Sequence, residues 1–169
     1  MATPDDFCKT VGLIAIQFST LDFAVTVMLN NLITEHHEAA AIITNDITSL
    51  RAKLELSANL AKVKLADPKL KKDFADFCKA ALKHRDWRNR LLHDLWIFEE
   101  PGLTRGEIKR QELRRLFAQG FKFNPVVHTL DELQRFSDEL AKFISRTLAL
   151  YDRMPGAKPC LFNHSPATE

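Results

Sequence analysis

Cysteine is scarce in this chain: its 169 residues include three, Cys8, Cys78 and Cys160, spaced far apart. An odd number at such spacing fits neither a disulfide framework nor the paired ligands of a zinc site. Cys8 and Cys78 fall within apolar helical patterns, which predicts small core residues in a reducing compartment. The sequence therefore predicts a cytoplasmic protein.

Long apolar runs and an export signal are also missing. No uninterrupted apolar run approaches the length that a membrane-spanning helix needs. Asp5 and Asp6 stand where a secretory signal would carry basic residues. We therefore predict neither a membrane span nor export. The length favours a single domain with a substantial core.

Motifs for metal or kinase chemistry are absent from the sequence as well. His36 and His37 are adjacent, so their side chains do not share a helix face, and no HExxH motif follows. The triplet that begins at His84 matches the start of the kinase catalytic loop. That loop requires Asn five residues after its Asp, where this chain has Leu91. We predict no metal and no cofactor.

Charge is distributed unevenly although the net charge is only +2. Residues 1–50 carry one basic residue against six acidic ones, and residues 51–90 carry twelve basic residues against five acidic ones. Such a dipolar chain can hold an anionic ligand on one face, or its acidic and basic helices can neutralise each other. Both interpretations stay open on the sequence alone.

Apolar residues at steps of three and four predict an all-α protein, an antiparallel helical bundle. The predicted helices cover residues 5–32, 36–44, 49–66, 69–96 and 130–152. Thr48 is expected to cap the third helix, and Thr129 with Glu132 to form a capping box before the last.

Residues 97–128 lose the helical rhythm, which predicts a small irregular or β-hairpin insertion before the last helix. Its return strand is expected between Leu103 and Arg110, and a further short strand at 121–123 or 126–128. A helical turn is expected over 111–119. We predict one domain over residues 1–153 and a disordered tail over 154–169.

An acidic residue, Asp22, interrupts the apolar stripe of the first predicted helix. A carboxylate on that face is costly to bury unless a charge pairs with it. The sequence therefore predicts that a cation reaches Asp22 from another helix.

The segment from His84 to Trp96 concentrates groups that can perform phosphate chemistry. Arg88 offers a planar fork of donors to phosphate oxygens, and His93 can take or give a proton near neutral pH. The amide of Asn89 can fix either group. At 100° per residue Arg85 and Arg88 fall on the apolar side of the helix, and His93 lies about 140° from Arg88.

This arrangement resembles the HEPN superfamily of helical domains. The resemblance rests on Arg88-Asn89 and His93 near the end of a long helix, followed by Asp94-Leu95-Trp96. An earlier helix carries an acid, Asp22, and an intervening helix carries Lys53. The resemblance covers roughly residues 7–152 and implies an all-helical fold. It also implies a homodimer that brings two Arg/His sets into one cleft.

For active members, the resemblance implies metal-independent cleavage of RNA. Arg88 would stabilise charge on the phosphorane-like transition state, and His93 would act as general base or acid. Asn89 would orient one of them. Such members are often toxins of toxin–antitoxin systems or act in antiviral defence, so an antitoxin protein is a candidate partner. Other members are non-catalytic.

Each of these residues also has a simpler interpretation. Arg88 can be the structural partner of Asp22, and Arg85 and Arg90 can be surface or interface charges. Trp87 and Trp96 fit packing or a dimer interface better than base stacking. A basic cluster can hold RNA backbone or form a solvated face: Arg105, Lys109, Arg110, Arg114 and Arg115. The alternative function is a non-catalytic helical dimer that binds a partner protein or nucleotide.

Overall fold

A computed structural model describes residues 3–34, 36–93, 95–97, 107–111 and 126–157 of the chain. Within these ranges the backbone alone is described at residues 37, 93, 95–97, 107–111 and 126–127. The described part is predominantly helical, which confirms the prediction of an all-α protein.

Five helices account for most of the described chain. The helices that match their predictions closely are α1 (Pro4–Ile33), α2 (His37–Thr44), α3 (Leu50–Lys64) and α5 (Leu130–Tyr151). The fourth, α4, spans Pro68–His93. The prediction that it continues to residue 96 is wrong, because Leu95 to Ile97 pair as a strand and their backbone groups bond to another strand.

Three short strands form an antiparallel sheet in the order β1-β2-β3, with β1 at Leu95–Ile97, β2 at Glu107–Gln111 and β3 at Val126–Thr129. In β1 Trp96 pairs with Arg110 of β2, and Ile108 of β2 pairs with His128 of β3. The predicted helical turn over 111–119 begins at a residue of β2. The rest of that turn and the predicted strand at 121–123 lie outside the described residues.

Side-chain capping sets the start of α5. The backbone N–H of Glu132 donates to Thr129 Oγ1 at 3.2 Å, and the backbone N–H of Thr129 donates to Glu132 Oε2 at 3.2 Å. These reciprocal bonds satisfy donors that a helix start leaves open, and they confirm the capping box. At α3 the N-cap residue is Ser49, whose side chain makes no capping bond. The cap predicted at Thr48 is wrong.

The chain divides into two compact units, with residues of α1, α4 and α5 in both. Unit 1 comprises Met1–Ser19 and His84–Lys142, and unit 2 comprises Thr20–Lys83 and Phe143–Glu169. Each has its own buried apolar residues, and a fully buried residue of this kind contributes roughly 1.5–3 kcal/mol. In unit 1 they include Phe7, Ile14, Phe18, Leu91, Leu133 and Leu140; in unit 2 they include Leu21, Met28, Leu29, Leu54 and Phe74.

The two described cysteines differ in exposure. Cys78 is buried, and burial raises the pKa of its thiol to about 12, whereas Cys8 is exposed. The prediction of a core cysteine therefore holds for Cys78 and is wrong for Cys8. Cys160 lies outside the described residues.

Helix α1 is long and apolar enough to cross a membrane by length and composition alone. This differs from the sequence expectation, which considered uninterrupted apolar runs. The core helix of a soluble protein meets the same criterion, and 33% of the most apolar stretch of α1 is buried. The finding is weak support for a membrane span.

After α5 the chain turns within unit 2. Met154 is buried, and Asn31 Nδ2 donates to the Pro155 carbonyl oxygen at 3.0 Å. Gly156 has a φ of 73°, a conformation that glycine adopts at no steric cost. The remainder of the predicted tail, residues 158–169, lies outside the described residues.

Candidate functional site

The candidate site lies in the last turns of α4, within unit 1. Arg88 is half-buried, and its Nη1 donates to Asn89 Oδ1 at 3.2 Å. No carboxylate pairs with Arg88 among the residues that the structure describes. The described partner of the guanidinium is therefore a neutral amide, which leaves its charge uncompensated by that bond.

The sequence predicts that a cation pairs with Asp22, and in unit 2 the structure shows that this cation is Lys53 of α3. Lys53 Nζ lies 2.7 Å from Asp22 Oδ2, and the side chains are 9% and 39% exposed respectively. A lysine two helices along the chain from Asp22 therefore supplies the cation that the sequence predicted, and Asp22 does not require Arg88 for its neutralisation. The sequence predicts Lys53 as a structural or supporting residue but does not predict that Asp22 is its partner.

The other two arginines of the segment differ from Arg88. Arg85 Nη1 lies 2.8 Å from Asp86 Oδ1, a carboxylate on the next residue, and Arg90 is exposed. Both fit the interpretation as surface charges. The guanidinium of Arg85 is neutralised locally, so it is less available to an anion than that of Arg88.

His93 is the last residue of α4. Its ring lies outside the described atoms, so the meeting of Arg88 and His93 stays a prediction. Ideal helix geometry separates the two positions by about 140°. The two side chains then converge on one ligand only if Arg88 reaches round the helix, the helix distorts, or a second subunit contributes.

Aromatic rings surround the start of this segment in unit 1. Trp87 stacks on Phe136 of α5 with ring centroids 3.7 Å apart and an interplanar angle of 24°. His84 lies 5.8 Å from Phe136, and His128 meets Trp87 edge-on at 6.3 Å. Trp87 therefore packs inside its unit. No sequence signal pairs Phe136 with Trp87.

The two histidines of this cluster have different electrostatic surroundings. Burial lowers the pKa of His84, an effect that the nearby Glu139 carboxylate partly opposes. His128 Nδ1 lies 3.4 Å from Glu132 Oε2, the carboxylate that also takes part in the capping box. Burial therefore favours a neutral imidazole at His84.

Unit 2 contains a separate open groove of about 280 Å³ between α4 and α5. The rings of Phe77 and Phe143, which line it, stack with centroids 5.5 Å apart. Two charged lining residues also pair, since Arg153 Nη2 donates to Asp73 Oδ2 at 2.8 Å. The lining therefore combines apolar rings with charged side chains, as small binding sites often do.

Across the described ranges, no group of three or more His, Cys, Asp or Glu side chains could hold a metal ion. The chain matches no protein-family model, no curated protein and no solved structure.

Proposed function

We propose that this protein is a HEPN-type, metal-independent endoribonuclease that acts as a homodimer, of the kind found in toxin–antitoxin or antiviral defence systems. One observation carries the proposal: Lys53 neutralises Asp22, so Arg88 is not required as its counter-ion. A half-buried arginine bonded to a neutral amide is suited to bind a substrate anion.

The proposed chemistry uses three side chains of α4. His93 takes the proton of a ribose 2′-hydroxyl, and the 2′-oxygen attacks the adjacent phosphorus. Arg88 stabilises the charge that develops on the phosphoryl oxygens, and Asn89 holds the guanidinium in place. The bond from phosphorus to the 5′-oxygen breaks, the 5′-oxygen takes up a proton from water to become a 5′-hydroxyl, and a 2′,3′-cyclic phosphate end is left on the other fragment. Because the attack is internal, the reaction needs no metal-bound water.

The homodimer supplies what a single α4 lacks. One helix separates Arg88 and His93 by about 140°, which is unfavourable for joint action on one phosphate. In the proposed dimer the Arg88 of one subunit and the His93 of its partner converge on the same phosphate. Cleavage should then increase with dimer formation.

The test is cleavage of a mixed RNA pool in EDTA by the wild type, Arg88→Ala and His93→Ala. Matched controls are Arg90→Ala and His36→Ala, since both residues are exposed. We expect cyclic phosphate ends from the wild type and both controls, and loss of cleavage in the two site variants without loss of fold. Intact cleavage by both site variants would refute the proposed roles.

The second candidate function is a non-catalytic helical dimer that binds a partner protein or nucleotide. The groove of unit 2 favours it, because its lining offers both apolar rings and charged side chains to a ligand. Absence of cleavage by folded, dimeric wild type would favour this candidate over the nuclease.

A further inference from the structure

We infer that Arg110 of β2 binds a phosphate of the RNA strand beside the one that is cleaved, an inference that rests on the proposed function for the identity of its ligand. Arg110 belongs to the basic cluster that the sequence left undecided between RNA binding and solvent exposure. The antiparallel sheet distinguishes this residue from its basic neighbour.

The pairing of β1 with β2 brings Arg110 close in space to the end of α4. Arg110 pairs with Trp96, which follows His93 by three residues. Three residues span at most about 11 Å, and paired residues of antiparallel strands lie about 4.5–5.5 Å apart between Cα atoms. The Cα atom of Arg110 therefore lies within about 16 Å of that of His93.

Strand alternation then selects Arg110 over Lys109. Ile108 pairs with His128, and Arg110 follows Ile108 by two residues, so Arg110 occupies the same face of the sheet as His128. The His128 ring meets Trp87 of α4 edge-on. The register therefore places Arg110 on the face of the sheet whose His128 contacts α4. Lys109 occupies the opposite face.

Contacts to phosphates position a nucleic acid and add affinity that depends on salt. Each phosphate contact to a single strand contributes about 0.7 to the slope of log affinity against log salt concentration. Loss of one contact therefore lowers affinity about fivefold at about 0.1 M salt and has little effect near 1 M.

The experiment measures binding of a short, fluorescein-labelled RNA in which every 2′-hydroxyl is methylated, so that the proposed chemistry cannot cleave it. Fluorescence anisotropy across a salt series compares the wild type, Arg110→Gln and Lys109→Gln. We expect Arg110→Gln to reduce the slope by about 0.7, and Lys109→Gln to reduce it by less than half as much. Equal slopes for Arg110→Gln and the wild type, or a larger effect at Lys109, would overturn the inference.

A second measurement uses the wild type alone, so it does not depend on the folding of a variant. Phenylglyoxal modifies accessible arginines, and mass spectrometry locates the adducts with and without the methylated RNA. We expect RNA to protect Arg110 but not Arg51, an exposed residue of unit 2. Equal modification of Arg110 in both conditions would count against the inference.

These outcomes separate the inference from the nuclease proposal. Binding that depends on Arg110, without cleavage of unmodified RNA, would keep the inference and remove the nuclease. Cleavage of unmodified RNA together with binding that is independent of Arg110 would overturn the inference alone. Failure of the wild type to bind the methylated RNA would also overturn it.

Discussion

The ion pair between Asp22 and Lys53 should respond asymmetrically to removal of its two partners. Lys53 is 7% exposed as a residue, while the Asp22 side chain is 39% exposed. Loss of Asp22 leaves a buried ammonium group without its counter-ion, which is among the most destabilising changes in a folded protein. Loss of Lys53 leaves a carboxylate that water can reach.

From these exposures we expect Asp22→Ala to lower the free energy of unfolding by about 3 kcal/mol, at the lower end for a broken buried pair. Lys53→Met keeps apolar volume in the buried position, and the exposed carboxylate regains water, so we expect a loss of about 1 kcal/mol. The double variant removes both charges and should lie within about 1 kcal/mol of the wild type.

Thermal and urea unfolding measure these differences. For a chain of this length about 3 kcal/mol corresponds to a fall in Tm of roughly 6–12 °C. Glu55→Ala is the control, because it removes an exposed ion pair with Arg51. The side chain of Arg51 is 61% exposed and that of Glu55 is 55% exposed. That change should cost less than about 0.5 kcal/mol. The reasoning fails if Asp22→Ala costs no more than the control, or less than Lys53→Met.

Two further predictions concern buried polar groups. Ser57 Oγ is buried without a hydrogen-bond partner in the part of the chain that the structure describes, so Ser57→Ala should raise stability by about 1 kcal/mol in urea unfolding. A lower urea midpoint would show that the hydroxyl is bonded. Burial lowers the pKa of His84 in the folded state, so the unfolded chain takes up its proton first as pH falls. Stability should therefore decrease from about pH 7.5 to about pH 5.5 more in the wild type than in His84→Gln, and equal decreases would contradict this.

Local sequence signals predicted most of the helical structure. The apolar periodicity of α1 and α5 matches their observed bounds closely, because a helix that buries one face repeats apolar residues at a fixed step. The capping box at Thr129 could also be predicted from the sequence, since its bonds join residues three positions apart. Each of these signals involves residues that are only a few positions apart in the chain.

The end of α4 shows where local signals fail. The sequence pattern continued the helix to Trp96, but Trp96 pairs with Arg110, fourteen residues further along the chain. A helical rhythm and a short buried strand both contain closely spaced apolar residues, so periodicity could not separate them over three residues. Only the partner strand decides which conformation satisfies the backbone groups.

The same distinction applies to the candidate site. Arg88, Asn89 and His93 are chosen by chemistry and spacing, which the sequence by itself displays. The sequence also determined that Asp22 needs a cation, because an unpaired charge on an apolar stripe is costly. It could not say which cation, and only the tertiary structure selected Lys53, 31 residues away in the chain. Charge pairing depends on distances of a few ångströms in space, and packing of the helices sets those distances independently of separation in sequence.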